Sequence, residues 1–156
     1  MAKFSCQMSD ASGGYVAAQK ESDDSISTEE LLEVLRPAGT KLQEYYQQAI
    51  RDRFKQWTGS LAASFGIKEN DSDSAGYASI TVKPLGKHKG GAYARKDRKT
   101  AAKGIKNEEL LYLLEYGTPR IAASHVIEET NDQVGEEIQD IIESGYDDLL
   151  KKKGLI

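Results

Sequence analysis

The chain has 156 residues, 38% of them hydrophobic and 29% charged, with a formal net charge of −4. That is about one domain's length, with apolar residues enough for one core. No apolar run approaches the ~20 residues of a membrane span, Met1-Ala2-Lys3-Phe4-Ser5-Cys6 has no apolar core of a secretory signal, and the single Cys6 excludes an internal disulfide framework or a multi-cysteine zinc site. Cys6 is expected to be a reduced thiol in a cytoplasmic setting.

Met1 to Asp24 is rich in Ser, Gly, Ala and acids and reads as aperiodic. It is expected to be part of a flexible N-terminal arm over residues 1–26, ahead of a single α+β domain over 27–156. Ser27-Thr28-Glu29-Glu30 is a capping box opening a short helix with Leu31, Leu32 and Leu35 on one side. Pro37 lacks an N–H and predicts a break or kink there. Thr40-Lys41-Leu42-Gln43 offers a second capping box, from which Leu42, Tyr45, Tyr46, Ala49, Ile50, Phe54 and Trp57 recur at helical spacing. Gly59 is expected to end that helix.

Two strands are predicted next. Leu61, Ala63, Phe65 and Ile67 alternate with Ala62, Ser64, Gly66 and Lys68; Ala78, Ile80 and Val82 alternate with Ser79, Thr81 and Lys83. The cluster from Asn70 to Gly76 would turn an antiparallel hairpin between them. Gly86 to Lys106 is a long basic loop insertion, of a length that is usually functional or disordered. The apolar run Leu110–Tyr116 suggests a central strand, with a helix starting at Asn107-Glu108-Glu109 as the alternative. Gly117 and Pro119 stop either element, and Gly117, Thr118, Pro119 and Arg120 form a structural turn.

A last helix is expected from about Ser124, with Ile127, Val134, Ile138, Ile141, Ile142 and Leu149 as its apolar stripe. Its first-turn acids and last-turn lysines suit the helix dipole. These pieces predict a small antiparallel β-sheet packed by two amphipathic helices, an α+β two-layer domain.

Charge is segregated along the chain. Lys87 to Lys106 holds eight Lys or Arg and one Asp, whereas Ile121 to Leu150 holds nine Asp or Glu and no Lys or Arg. Two readings stand: separate solvated faces, or complementary patches on neighbouring subunits.

Candidate chemistry is sparse. His88 and His125 have no cysteines or paired carboxylates at ligand spacing, so no metal is expected. Ser124 and His125 are sequence neighbours and do not make a nucleophile–base pair. Gly86-Lys87-His88-Lys89-Gly90-Gly91-Ala92-Tyr93 lacks the Lys-Ser/Thr ending of a phosphate loop. No catalytic residue, no cofactor and no enzymatic activity are expected. The basic loop (Lys87, Lys89, Arg95, Lys96, Arg98, Lys99, Lys103 and Lys106) could hold phosphate backbones. Against that stand a sequence pI near 5.3 and the lack of a basic recognition helix.

The order of a helix, Thr58-Gly59-Ser60-Leu61-Ala62-Ala63-Ser64-Phe65, a sheet with a basic insertion, Leu114-Glu115-Tyr116-Gly117-Thr118-Pro119-Arg120-Ile121-Ala122-Ala123-Ser124-His125 and an acidic helix resembles the head–tail joining and tail-completion (neck) proteins of long-tailed bacteriophages. The resemblance spans roughly Leu31 to Leu150. It departs at Ala122-Ala123, where the family often has a proline, and at His125-Val126, where it often has an aromatic. What it implies is a structural virion protein, assembled in the host cytoplasm, that forms a ring of itself, a hexamer or larger, and touches neck or tail-tube proteins. Non-specific contact with packaged DNA and no membrane contact are further expectations. The subunit interface would set Lys87, Lys89, Arg95, Lys96, Arg98 and Lys99 of one copy against Glu128, Asp132, Glu136 and Asp140 of the next, with the basic loop ordering on assembly. The alternatives are a nucleic-acid-backbone-binding module using the same loop, and a small regulatory protein whose acidic helix engages a host partner.

Overall fold

The computed structural model describes residues 2–10, 13–20, 26–54, 59–72, 77–88 and 105–154. In chain order the elements are β1 (Ala2–Asp10), β2 (Gly13–Lys20), α1 (Thr28–Arg53), α2 (Gly59–Ala63), β3 (Phe65–Ser72), β4 (Tyr77–Pro84), β5 (Lys87–His88), β6 (Ile105–Lys106), α3 (Asn107–Tyr116) and α4 (Val126–Lys152). The α+β class is as expected. An antiparallel sheet in the order β1-β2-β4-β3 is covered by α1, which crosses β2, β4 and β3, and by α4, which packs on α1 and β1. No helix among the described residues is long and apolar enough to cross a membrane.

Residues 2–20 correct the flexible-arm expectation. Their backbone forms the β1–β2 hairpin, and β2 pairs with β4 from Gly14↔Val82 to Gln19↔Tyr77. The cause is an alternation in Phe4-Ser5-Cys6-Gln7-Met8. The register sets Phe4, Cys6 and Met8 in the same cross-strand rows as Ala78, Ile80 and Val82, the buried row of β4. The β1–β2 hairpin is therefore part of the sheet. Residues 11, 12 and 21–25 lie outside the described residues.

The capping box at α1 forms as expected: Ser27 Oγ accepts the Glu30 N–H at 3.2 Å and the Glu30 carboxylate accepts the Ser27 N–H at 2.8 Å. The break at Pro37 does not form, and Thr40 is no second cap, because α1 runs unbroken from Thr28 to Arg53. Leu31, Leu35, Ala38, Leu42, Tyr46 and Ile50 are fully buried along one face. At about 1.5–3 kcal/mol for each large apolar side chain, their burial outweighs the ~3 kcal/mol cost of an interior proline. Pro37 itself is on the exposed side. Gly39 sets the helix against the sheet, since a Cβ there would lie 2.9 Å from Ile80 Cγ2. Tyr45, Ala49 and Phe54 pack at the core's edge; Trp57 lies outside the described residues.

The expected hairpin is present but shifted. Leu61 and Ala62 are buried in α2, not in a strand. The Ser64 N–H and hydroxyl both donate to the Leu61 carbonyl, at 3.1 and 2.6 Å, which closes a helical turn there. Strand β3 starts at Phe65 and continues through Asn70, Asp71 and Ser72, which were expected in the turn. On the face away from the helices, Lys68 and Asn70 of β3 are exposed and Thr81 and Lys83 of β4 half-buried.

Leu110–Tyr116 belongs to a helix, which overturns the strand reading and keeps its alternative. Leu110, Leu111 and Leu114 are buried while Tyr112 and Tyr116 remain 54% and 47% exposed, a helical one-sided pattern. The ends of the basic segment are tied together: β5 pairs with β6, and the Asn107 N–H donates to the Gly86 carbonyl at 3.0 Å. Lys89, Arg95, Lys96, Arg98 and Lys99 lie outside the described residues. The last helix starts at Val126, two residues later than expected, and buries Ile127, Val134, Ile138 and Ile142. The Lys153 ammonium, 2.7 Å from the Glu30 carboxylate, ties its end to the start of α1.

Candidate functional site

The segment Leu114–His125 joins α3 to α4, and its geometry follows from one buried acid. Glu115 is fully buried, yet both its oxygens are used: Oε2 accepts the Ile127 N–H at 2.8 Å and Oε1 accepts the Glu128 N–H at 3.0 Å. Glu115 thus caps α4 from the preceding helix. It does so because His125, at the cap position, sits in the left-handed region at φ 50° and its side chain makes no capping bond. A carboxylate there also meets the positive end of the helix dipole. The main chain adds Ser124 N–H to Leu114 O at 3.0 Å and His125 N–H to Glu115 O at 3.1 Å. The Ser124 hydroxyl donates to Leu114 O at 2.7 Å, so it is a structural group here.

Between these helices lies the tight turn. Thr118 and Ile121 exchange backbone hydrogen bonds of 2.8 and 3.2 Å, and Thr118 Oγ1 accepts the N–H groups of Arg120 and Ile121 at 3.2 and 3.0 Å. Gly117 has φ +79°, and a Cβ on it would lie 2.7 Å from Ala123 N and Ile121 O. Only glycine fits. Pro119 and Arg120 form the exposed tip.

Glu115, His125 and Glu128 offer ligand-type atoms within 4.8 Å of one another. Both Glu115 oxygens already hold backbone amides, and His125 Nδ1 faces Glu128 Oε2 at 3.3 Å. The trio is a helix cap with a surface pair, a poor donor set for a cation. A groove of about 640 Å³ along α1, lined by Glu33, Arg36, Pro37, Thr40, Lys41 and Glu44, is open to solvent and encloses no reactive group.

Six of the nine acids of α4 fall into two sets. Glu129 and Glu137 face α1: Arg53 Nη1 lies 3.8 Å from Glu129, and Glu137 accepts the Tyr45 hydroxyl. That hydrogen bond, foremost, pushes the Tyr45 phenol above its usual pKa. The Tyr46 hydroxyl makes a similar link to Asn131. Glu128, Asp132, Glu136 and Asp140 form the other set. All four are exposed. Their spacing of four puts them on one side of the helix, about 6 Å apart along its axis. Glu128 meets His125, and among the described residues no ion pair reaches Asp132, Glu136 or Asp140. The stripe is therefore free of the α1–α4 packing.

Of the expected basic partners, the backbone of Lys87 pairs with Lys106 and the others lie outside the described residues. Within the described residues nothing joins the two charge sets. Sequence reasoning missed the capping role of Glu115, whose signal was an acid inside an apolar run. It also missed the exposed aromatic group in which the Tyr116 ring sits edge-on to Tyr112 and His125, with centroids 5.0 and 6.3 Å away. No protein-family model, curated protein or solved structure matches this chain.

Proposed function

We propose that the protein is a structural, non-catalytic subunit of a tailed-phage virion, forming rings at the neck or tail end and contacting neighbouring neck or tail-tube proteins. Support comes from the resemblance carried by Thr58-Gly59-Ser60-Leu61 and Glu115-Tyr116-Gly117-Thr118, and from the α+β fold class, which agrees with it. The observation that carries the reading is the exposed stripe Glu128, Asp132, Glu136 and Asp140. Like charges at this spacing repel and cost stability. Among the described residues no ion pair compensates Asp132, Glu136 or Asp140, and in this reading another molecule does. A second copy supplies that compensation through the Lys and Arg of residues 86–106, and a contact between two different patches closes into a ring when its rotation closes.

The test is the mass of the purified protein by light scattering, with negative-stain images. Rings are expected from the full chain. Replacing residues 89–104 by a short turn across β5–β6 is expected to leave a folded monomer. Normal rings from that variant would reject the mechanism.

A further inference from the structure

A cleft of about 280 Å³ lies where the end of β4 meets the start of α3, lined by Lys68, Lys83, Lys106, Glu108 and the 84–86 turn. Three lysines against one glutamate make it cationic. Lys83, with its side chain 22% exposed, is held 3.5 Å from Glu108. Lys68 and Lys106 are exposed, and no ion pair among the described residues reaches either. They project from β3 and β6, so paired backbone fixes their positions. Leu85, 36% exposed, adds an apolar contact at the rim. The volume corresponds to roughly nine waters at ~30 Å³ each, room for one or two hydrated carboxylates.

We propose that this cleft is the fixed docking site for the Asp132–Glu136–Asp140 stripe of a second copy, its carboxylates seated between Lys68 and Lys106. The inference rests on the ring-forming reading and adds to it a pre-formed cationic anchor, separate from the segment 89–104. A second copy is the occupant because every copy carries both surfaces. The cleft and the stripe share no residue, as a head-to-tail contact requires. The stripe's carboxylates and the cleft's Lys68 and Lys106 ammonium groups, without an ion pair among the described residues, match in charge. Lys83 is left out of the test because its pairing with Glu108 serves the fold.

The experiment is a charge swap on the full chain, read by sedimentation. K68E/K106E and D132K/E136K/D140K are each expected to self-associate at least about tenfold more weakly than wild type, since reversal turns exposed attractions into repulsions, with circular dichroism melts unchanged. Wild-type assembly by K68E/K106E would overturn the proposal while leaving the ring reading intact. If K68E/K106E assembles normally but loses salt-sensitive DNA binding, the cleft is a phosphate site and the proposal fails. If the wild type never assembles, the ring reading and this inference fall together.

Discussion

The Glu115 carboxylate accepts the Ile127 N–H at 2.8 Å from within a fully buried site. One helix therefore caps the next, and the acidic helix is aimed by a residue that lies outside it. Removing the carboxylate leaves the first-turn amides of α4 without their acceptor. Glu115→Ala is expected to cost about 2–4 kcal/mol, combining a lost cap with buried unpaired donors. Glu115→Gln keeps one acceptor oxygen and should recover part of this. Urea denaturation of the two variants checks both the size and the order.

Gly117 supplies the second constraint on the joint. Gly117→Ala forces a side chain into φ +79° and onto Ala123 N and Ile121 O, each at 2.7 Å. A loss of about 2 kcal/mol or more is expected. Gly135 is the control. It lies inside α4 with nothing within 4 Å of an added Cβ, so Gly135→Ala should stabilise by about 0.5–1 kcal/mol. Thermal melts of the pair should move in opposite directions.

Pro37 sits inside a helix that runs unbroken through it. Pro37→Ala restores a backbone donor and removes the ring clash, offset by a more flexible unfolded chain. A net gain of about 1–2 kcal/mol is expected, measured as a raised denaturation midpoint with unchanged slope.

Acid should loosen the contact between the two ends of α1 and α4. The Lys153 ammonium, foremost, and the Ser27 N–H hold the Glu30 carboxyl below the usual glutamate range, and Arg36 does the same for Glu69. Groups lowered on folding stabilise above their unfolded pKa and lose that contribution as pH falls through the folded one. Stability should therefore be level near neutrality and decline below about pH 4.3. Glu30→Gln should flatten part of that decline in denaturation midpoints taken across the range.

How much of this was legible depends on whether the signal was local. The periodic faces of α1 and α4, the Ser27 capping box and the four-residue acid spacing stand in the sequence because each is set within a few residues. Pro37 misled because a local cost of about 3 kcal/mol is overridden by a row of distant burials. Residues 2–20 were read as an arm because Cys6, Met8, Ala17 and Ala18 are weak strand signals until β1 pairs with β2 and β2 with β4. Leu110–Leu114 was ambiguous because continuous apolarity suits a buried strand as well as a helix. Glu115 left only the signal of an acid inside an apolar run, its partners lying across a turn at Ile127 and Glu128, and the Lys68–Lys83–Lys106 cleft left none because folding brings its residues together from separate elements.

The central claim is that copies of this chain hold one another through opposite charges. Sedimentation of the full chain across a salt series tests it most directly. A ring-sized particle is expected at low salt, dissociating toward monomer as screening shortens the reach of exposed charges to a few ångströms near 1 M. A monomer at every salt and protein concentration, or an assembly indifferent to salt, would contradict the account.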